Sequence, residues 1–330
     1  MASTNSSDVL NIGPRKHTRA ARSKSIPAQL NGCFSPTHIR NIFRGEQKVA
    51  SAGVSSNDLV RSEPLRVTTR VVSNEFEGEI NRRIVLETEC WPAWQPGQFV
   101  MLSPGPDQDA PRYDPLLPRP MAIFASSEVD GKHHIEVLYK VEGRGTQLLG
   151  GATEGDHVRL LGPLGTGFGL PAPDSHAILV GGGTGTASLY GLARAAKETG
   201  RVTVILGARR EGLLMAADEI EKLGVDVCIV TEDGSRGEAG LVTDALAPLI
   251  AEADAGTRVY ACGPTAMMRA CAALAAEANV RCDVALENRM ACGFGVCLGC
   301  AVPMDGGGFS LVCTRGPVYD ATELDWPGIP

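Results

Sequence analysis

The chain has 330 residues, 43% of them hydrophobic and 21% charged, with a net charge of −7. That leaves room for two domains and a further small module, and it argues against a nucleic-acid partner for the folded part. With no signal-peptide pattern and no apolar run of membrane-span length, the ten cysteines read as belonging to a reducing, cytoplasmic compartment rather than to a secreted disulfide scaffold.

Residues 1 to 62 carry nine Lys and Arg against three Asp and Glu, with much Ser and Asn and no sustained apolar period. They are expected to form a disordered basic tail. An acid-poor, Ser-containing start is also the composition of an organelle transit peptide, although no amphipathic helix is evident. Residues 63 to 172 show short β-type segments at 66–73, 83–89, 98–103, 134–141 and 157–162. Turns such as Trp91-Pro92 and Pro96-Gly97 separate them, a pattern that predicts a small antiparallel barrel. A helix is expected over 146–150, capped by Thr146.

From residue 173 to 286 strand and helix alternate. Strands are expected at 176–180, 202–206, 225–231, 258–261 and 281–286, with helices to about 199 and over 213–223, 241–251 and 265–278. Such alternation predicts a doubly wound parallel α/β sheet. Between its first strand and first helix stands Gly181-Gly182-Gly183-Thr184-Gly185-Thr186-Ala187, where a glycine-rich turn brings a pyrophosphate to a helix N-terminus. The fingerprint is imperfect, with Ser188 at its last small position, and a plain tight βα turn is the alternative. The second strand closes as Leu206-Gly207-Ala208-Arg209-Arg210, without the usual carboxylate for a ribose 2′-hydroxyl. Arg209 and Arg210 suit either a 2′-phosphate or a solvated turn, which leaves NAD(H) and NADP(H) both open. Cys262-Gly263-Pro264 falls at the carboxyl edge of the same sheet, where ligands of such sheets bind, although a buried structural thiol is the simpler reading of Cys262.

Residues 287 to 330 contain the most specific signal. Cys292, Cys297, Cys300 and Cys313 stand as C-x4-C-x2-C-x12-C, with Gly293, Gly295 and Gly299 among the first three. Four thiolates in this order suit a [2Fe–2S] cluster. Structural zinc is the rival, but zinc modules usually show two short C-x2-C knuckles. The other cysteines (Cys33, Cys90, Cys228, Cys262, Cys271 and Cys282) are scattered and read as small hydrophobes. No Ser/His/Asp set or paired-carboxylate arrangement stands out.

Barrel, nucleotide fold and cysteine loop in that order resemble the ferredoxin reductase superfamily. Glu287-x-Arg289-Met290-Ala291-Cys292-Gly293-x-Gly295-x-Cys297-x-x-Cys300, followed by Val312-Cys313-x-x-Gly316-Pro317-Val318, resembles the electron-transfer subunit of class B dihydroorotate dehydrogenase. The resemblance covers about residues 63 to 320. It implies an FAD site at Arg119-Pro120-Met121-Ala122, Leu138-Tyr139-Lys140 and Gly145-Thr146. There Arg119 would neutralise phosphate, Tyr139 would stack on the cofactor, and the Gly145-Thr146 turn would offer N–H groups. Lys140 stands for the family's Arg without its bidentate fork, and Ala122 stands for a Ser. The resemblance also implies that Cys262 shapes the hydride-transfer pocket.

The implied activity is electron transfer between NAD(H) and an FMN-containing dihydroorotate dehydrogenase catalytic subunit in a hetero-oligomer, through FAD and the cluster, in de novo pyrimidine synthesis. Alternatives keep the cofactors and change the partner, as in a sulfide dehydrogenase, a hydrogenase or a ferredoxin–NAD(P) oxidoreductase. A zinc-stabilised interaction protein is the reading from another class.

Overall fold

The structure, a computed structural model, describes residues 63–105 and 117–329. The expected tail, its targeting role and Cys33 lie outside the described residues. The first sheet contains β1 (Leu65–Glu77), β2 (Asn81–Thr88), β3 (Phe99–Pro104), β4 (Arg119–Ala122), β5 (Ala125–Val129), β6 (Lys132–Lys140) and β7 (His157–Leu164), in the order β4-β3-β7-β1-β2-β6-β5. All of its pairings are antiparallel. Residues alternate across each strand, so Ile84 and Leu86 on β2, Ile135, Val137 and Tyr139 on β6, and Val158 and Leu160 on β7 point into one core. The two edge strands, β4 and β5, are consecutive in the chain and joined only by Ile123 and Phe124. Ile123 donates its N–H to Gln98 and Phe124 donates to Glu136, which curls the sheet into the expected barrel.

Two features of this half differ from expectation. β4 and β5 have no strand signature, because Arg-Pro-Met-Ala and a polar edge lack the apolar alternation. The helix α1 spans Arg144–Gly150 with Gly143 at its cap. Thr146 therefore sits inside the first turn, where its hydroxyl accepts from the N–H groups of Glu142 and Gly143 at 2.9 and 3.1 Å.

The second sheet contains β8 (His176–Gly182), β9 (Arg201–Ala208), β10 (Asp226–Thr231), β11 (Glu238–Ala239), β12 (Arg258–Cys262), β13 (Arg281–Ala285) and β16 (Val318–Asp320), ordered β11-β10-β9-β8-β12-β13-β16. Strands β8 to β13 are parallel, as predicted, while β16 returns from the cysteine segment and joins β13 antiparallel. The helices are α2 (Thr186–Ala196), α3 (Ala217–Glu221), α4 (Val242–Ala251) and α5 (Thr265–Glu277). The helix expected over 213–223 is cut to α3. A 3-10 turn at Glu211–Leu213 and the left-handed Ala216 (φ +52°) precede it. The Ala216 N–H is drawn to the Glu77 carboxylate of the barrel at 2.9 Å, so docking between domains overrides local helix propensity.

A hairpin of β14 (Ala301–Pro303) and β15 (Phe309–Leu311) completes the fold. One buried cluster runs through all three parts: Phe99, Met101 and Leu164 of the barrel, Val259 and Val284 of the α/β sheet, and Cys300, Val302, Val312 and Cys313 of the cysteine segment. Among the described residues, no helix is long and apolar enough to cross a membrane.

Candidate functional site

Strand order reverses about β8, with β9 on one side and β12 on the other, and ligands of open α/β sheets bind at such a point beyond the carboxyl strand ends. Both nucleotide signals converge there, because Gly181 at the end of β8 pairs with Cys262 at the end of β12. A Cβ on Gly185 would overlap the Cys262 carbonyl, so the absence of a side chain is what lets the turn close on β12. Gly182, Gly183, Thr184, Gly263 and Pro264 line a cavity of ≈ 810 Å³, which Arg209 and Arg210 reach from the end of β9. Gly181 and Gly185 do not line it; they pack against Cys262 at the end of β12. Cys262 is buried, and its Sγ donates to the Ala285 carbonyl at 3.5 Å. Burial, with a contribution from the Glu287 charge, pushes its thiol up to about 12. It is therefore a neutral thiol at physiological pH, able to shape a wall but not to act as a thiolate.

A second cavity, of ≈ 670 Å³, opens between the barrel and the α/β sheet. Arg119, Pro120, Met121 and Ala122 of β4, Leu138, Tyr139 and Lys140 of β6, and Thr146 of α1 border it, so the three separate stretches of the barrel meet in space. Gly145 lies beneath them, and a Cβ there would sit 2.6 Å from Arg119 Nε. The guanidinium is thus laid across the start of α1. Tyr139 departs from expectation. Its ring is 1% exposed within the barrel core and its hydroxyl donates to Asn74 Oδ1 at 2.9 Å. It borders the cavity without an open face on which a cofactor could stack. Burial pushes its phenol up to about 12.

The two cavities share Lys140, Glu142, Thr184 and Glu287, and Cys262 lines the first of them. Thr184 Oγ1 donates to Glu287 Oε1 at 3.3 Å. Glu287 lines the cleft between domains and keeps its side chain exposed to solvent there. Desolvation by the protein atoms around its carboxylate raises its pKa, and the nearby Glu142 charge adds to the effect. Glu287, Asn288, Arg289 and Met290 all line the first cavity. Sequence reasoning used them only as flanks of the cysteine loop; the signal was their charge immediately after a buried strand at the sheet's carboxyl edge.

The four cysteines form two pairs. Cys300 and Cys313 are buried with sulfurs 3.2 Å apart, well beyond the roughly 2.05 Å of a disulfide. Cys292 and Cys297 hydrogen-bond to each other, and the N–H groups of Cys297, Phe294 and Val296 also reach the Cys292 sulfur. Burial works upward on Cys292, but these donors outweigh it and hold the thiol down to about 7. Burial and the adjacent Cys300 push Cys313 up to about 12, with the Gly295 N–H opposing. Phe294, Val296 and Leu298 are exposed around the loop.

Comparison with known proteins accords with this geometry. Residues 287–325 match the family model described as the iron–sulfur cluster binding domain of dihydroorotate dehydrogenase B, and residues 179–273 match an oxidoreductase NAD-binding domain. The electron transfer subunit of dihydroorotate dehydrogenase B (NAD(+)) from Geobacillus kaustophilus is 37% identical over 259 residues, which cover 77% of this chain and 94% of the relative. The chain belongs to this family. The subunit from Caldanaerobacter subterraneus subsp. tengcongensis is 38% identical, over 74% of this chain and 95% of its own length. Among solved structures, a chain of the NADH-dependent reduced ferredoxin–NADP oxidoreductase superposes with a TM-score of 0.70 at 29% identity, covering 79% of this chain and 91% of that one. A ferredoxin reductase of carbazole 1,9a-dioxygenase, at 21% identity and a TM-score of 0.57, shares the fold.

As a member of the dihydroorotate dehydrogenase B electron transfer subunits, the chain is an oxidoreductase subunit whose cofactors are FAD, NAD(H) and a [2Fe–2S] cluster. Its residues fit all three. A guanidinium packed on a helix start suits a phosphate. The glycine turn at the reversal of strand order suits a pyrophosphate. Sulfurs held as two pairs, with N–H groups aimed at them, suit two iron atoms with two thiolates each. Zinc would gather four sulfurs about one ion, whereas here Cys300 lies against Cys313 and Cys292 against Cys297. The upward push on Cys313 from burial and from Cys300 is of the kind a cationic core between thiolates reverses.

Proposed function

We propose that this chain carries electrons between NAD(H) and an FMN-containing dihydroorotate dehydrogenase catalytic subunit, with which it forms a hetero-oligomer in de novo pyrimidine synthesis. The observation that carries the reading is the meeting of three sites: two cavities that share four residues, and a cysteine loop whose preceding segment, Glu287 to Met290, forms the wall of the first cavity. When bound, nicotinamide exchanges electrons in pairs, the cluster singly, and flavin in either manner, so FAD belongs in the middle.

The chain's own residues provide the arrangement. Arg119, over Gly145 and beside Thr146, holds FAD phosphate. Pro120, Met121, Ala122, Leu138, Tyr139 and Lys140 form the walls about the flavin, with Ala122 offering a backbone N–H in place of the Ser hydroxyl. Gly181, Gly182, Gly183, Thr184 and Gly185, with Gly263 and Pro264, hold the dinucleotide. Cys262 forms a buried wall of the first cavity, and Glu287 stands where the two cavities meet. Cys292, Cys297, Cys300 and Cys313 hold the cluster, and the exposed Phe294, Val296 and Leu298 place that loop at the surface, where a partner can approach. None of the nine described cysteines is in a disulfide, which supports a cytoplasmic setting.

The similarity to a ferredoxin–NADP oxidoreductase chain favours one second reading, in which the cofactors are the same and the partner is another oxidoreductase. Absorbance and EPR before and after NADH test the cofactors. Flavin bleaching together with a reduced-cluster signal is expected, and one tightly bound zinc with neither flavin nor acid-labile sulfide would end the reading. Cys297→Ser is expected to keep FAD and NADH-driven dye reduction while abolishing transfer to the partner. Recovery of the protein with an unrelated oxidoreductase, and never with a dihydroorotate dehydrogenase subunit, would transfer the assignment to the second reading.

A further inference from the structure

A carboxylate of the other domain reaches the arginine pair that follows β9. In sheets of this type the adenosine ribose lies beyond the end of the second strand, where an acidic residue favours NAD and an arginine accommodates the 2′-phosphate of NADP. β9 leads into Arg209 and Arg210, and both line the dinucleotide cavity. Taken alone, that ending favours NADPH. Glu79, in the turn between β1 and β2, lies against it. Arg210 Nε donates to both Glu79 carboxylate oxygens at 3.1 Å, and Nη2 adds a further bond to Oε2. The Glu79 N–H in turn donates to the Gly212 carbonyl at 2.9 Å, and a Cβ on Gly212 would overlap the Glu79 carboxylate. The barrel turn is thus seated on residues 210 to 212 by main chain and side chain together.

The pair is half exposed, so its contribution to stability is small. Its effect on charge and geometry at the ribose end is not. An arginine recognises phosphate through its planar fork of donors, and here two donor atoms of that fork are directed at Glu79. Asp233 adds a second negative charge near Arg210. Arg209 shares the cavity with Glu232.

We infer that Glu79, acting from the flavin-side domain, is the positioning residue that sets the preference for NADH over NADPH by occupying Arg210. A 2′-phosphate must displace Glu79 from Arg210 and then lie beside the displaced carboxylate, whereas the 2′-hydroxyl of NADH leaves the pair intact. The inference rests on the nicotinamide reading given above and deepens it.

The test uses the full-length holoprotein, with calorimetric titration of NAD+ and NADP+ and with kcat/KM for NADH and NADPH in ferricyanide reduction. Wild-type protein is expected to favour the unphosphorylated nucleotide in both measurements. Glu79→Gln is expected to shift the NADP+ to NAD+ affinity ratio, and the matching kcat/KM ratio, by about tenfold towards the phosphorylated nucleotide, the scale of one charge-assisted hydrogen bond. Arg210→Gln in that background is expected to abolish the shift. A general folding defect lowers both nucleotides together and leaves the ratio unmoved, so the ratio isolates the positioning role. An unchanged ratio in folded Glu79→Gln overturns the inference, as does a shift that survives loss of Arg210. If Arg210→Gln alone weakens NADP+ binding severalfold, Arg210 already serves the phosphate and the inference also falls. Failure of wild-type protein to bind or oxidise either nucleotide would instead overturn the nicotinamide reading.

Discussion

A methyl group is enough to test the dinucleotide turn. In Gly185→Ala the new Cβ meets the Cys262 carbonyl and the Gly263 nitrogen, so the turn must move away from β12. KM for NADH is expected to rise at least tenfold, with flavin and cluster absorbance unchanged. An unaltered KM would show that the dinucleotide does not depend on this approach. Glu287 gives a pH test. Although the residue is exposed at the cleft, the protein atoms crowded around its carboxylate raise its folded pKa above the ordinary carboxyl value. Its contribution to stability is therefore complete below the unfolded carboxyl pKa and is lost as pH rises through the folded one. Glu287→Gln should accordingly gain stability over wild type, and the gap in urea midpoint should be wider near about pH 8 than near about pH 5. An equal gap at both would remove the account of a carboxylate desolvated by its neighbours. The cysteine spacing and the glycine turn were readable in the sequence because each encodes its chemistry in a few consecutive residues. The roles of Tyr139 and Glu287 were not, since one depends on which way a β6 side chain faces and the other on two domains enclosing it.

At the scale of elements, the β1–β2 hairpin does more than extend the barrel. Arg83 on β2 binds Glu77 at 3.0 Å, Glu136 at 3.3 Å and Glu219 of α3 at 2.7 Å, and lies over the Phe124 ring. Three carboxylates around one largely buried guanidinium repel one another when it is removed. Arg83→Met is expected to cost about 2 kcal/mol in urea unfolding, less than a fully buried pair because Glu219 is partly exposed. A loss within error would make the cluster incidental. The same hairpin explains what sequence patterning missed. Residues 213–223 have a helical composition, but Glu77 takes the Ala216 N–H and the helix starts only at Ala217. Strands β4 and β5 exist because closing the barrel pairs them with β3 and β6, a long-range cause that leaves no alternation in Arg119–Ala122. By contrast, the strands of the parallel sheet are buried on both faces, and apolar runs such as Ala177 to Val180 announce them directly.

For the whole molecule, the decisive feature is that the cysteine segment does not stand apart. Cys300, Val302, Val312 and Cys313 share a buried cluster with Phe99 and Met101 of the barrel and with Val284 of the α/β sheet. β16 adds a strand to that sheet, and Thr166, just after the barrel, donates its N–H to the Gly316 carbonyl at 2.7 Å. A segment tied to both neighbours by core and main chain has little free energy with which to open alone, because local opening is cheap only where buried apolar contacts are few. Anaerobic urea unfolding should then be a single transition, with cluster absorbance, flavin fluorescence and far-UV dichroism changing at one midpoint. Loss of the cluster signal at clearly lower urea than flavin release would mean that the segment opens independently. A coincident midpoint has a functional consequence as well. The distance between the flavin-side cavity and the cysteine loop would be fixed by a common core, and one-electron transfer along the chain would need no domain movement.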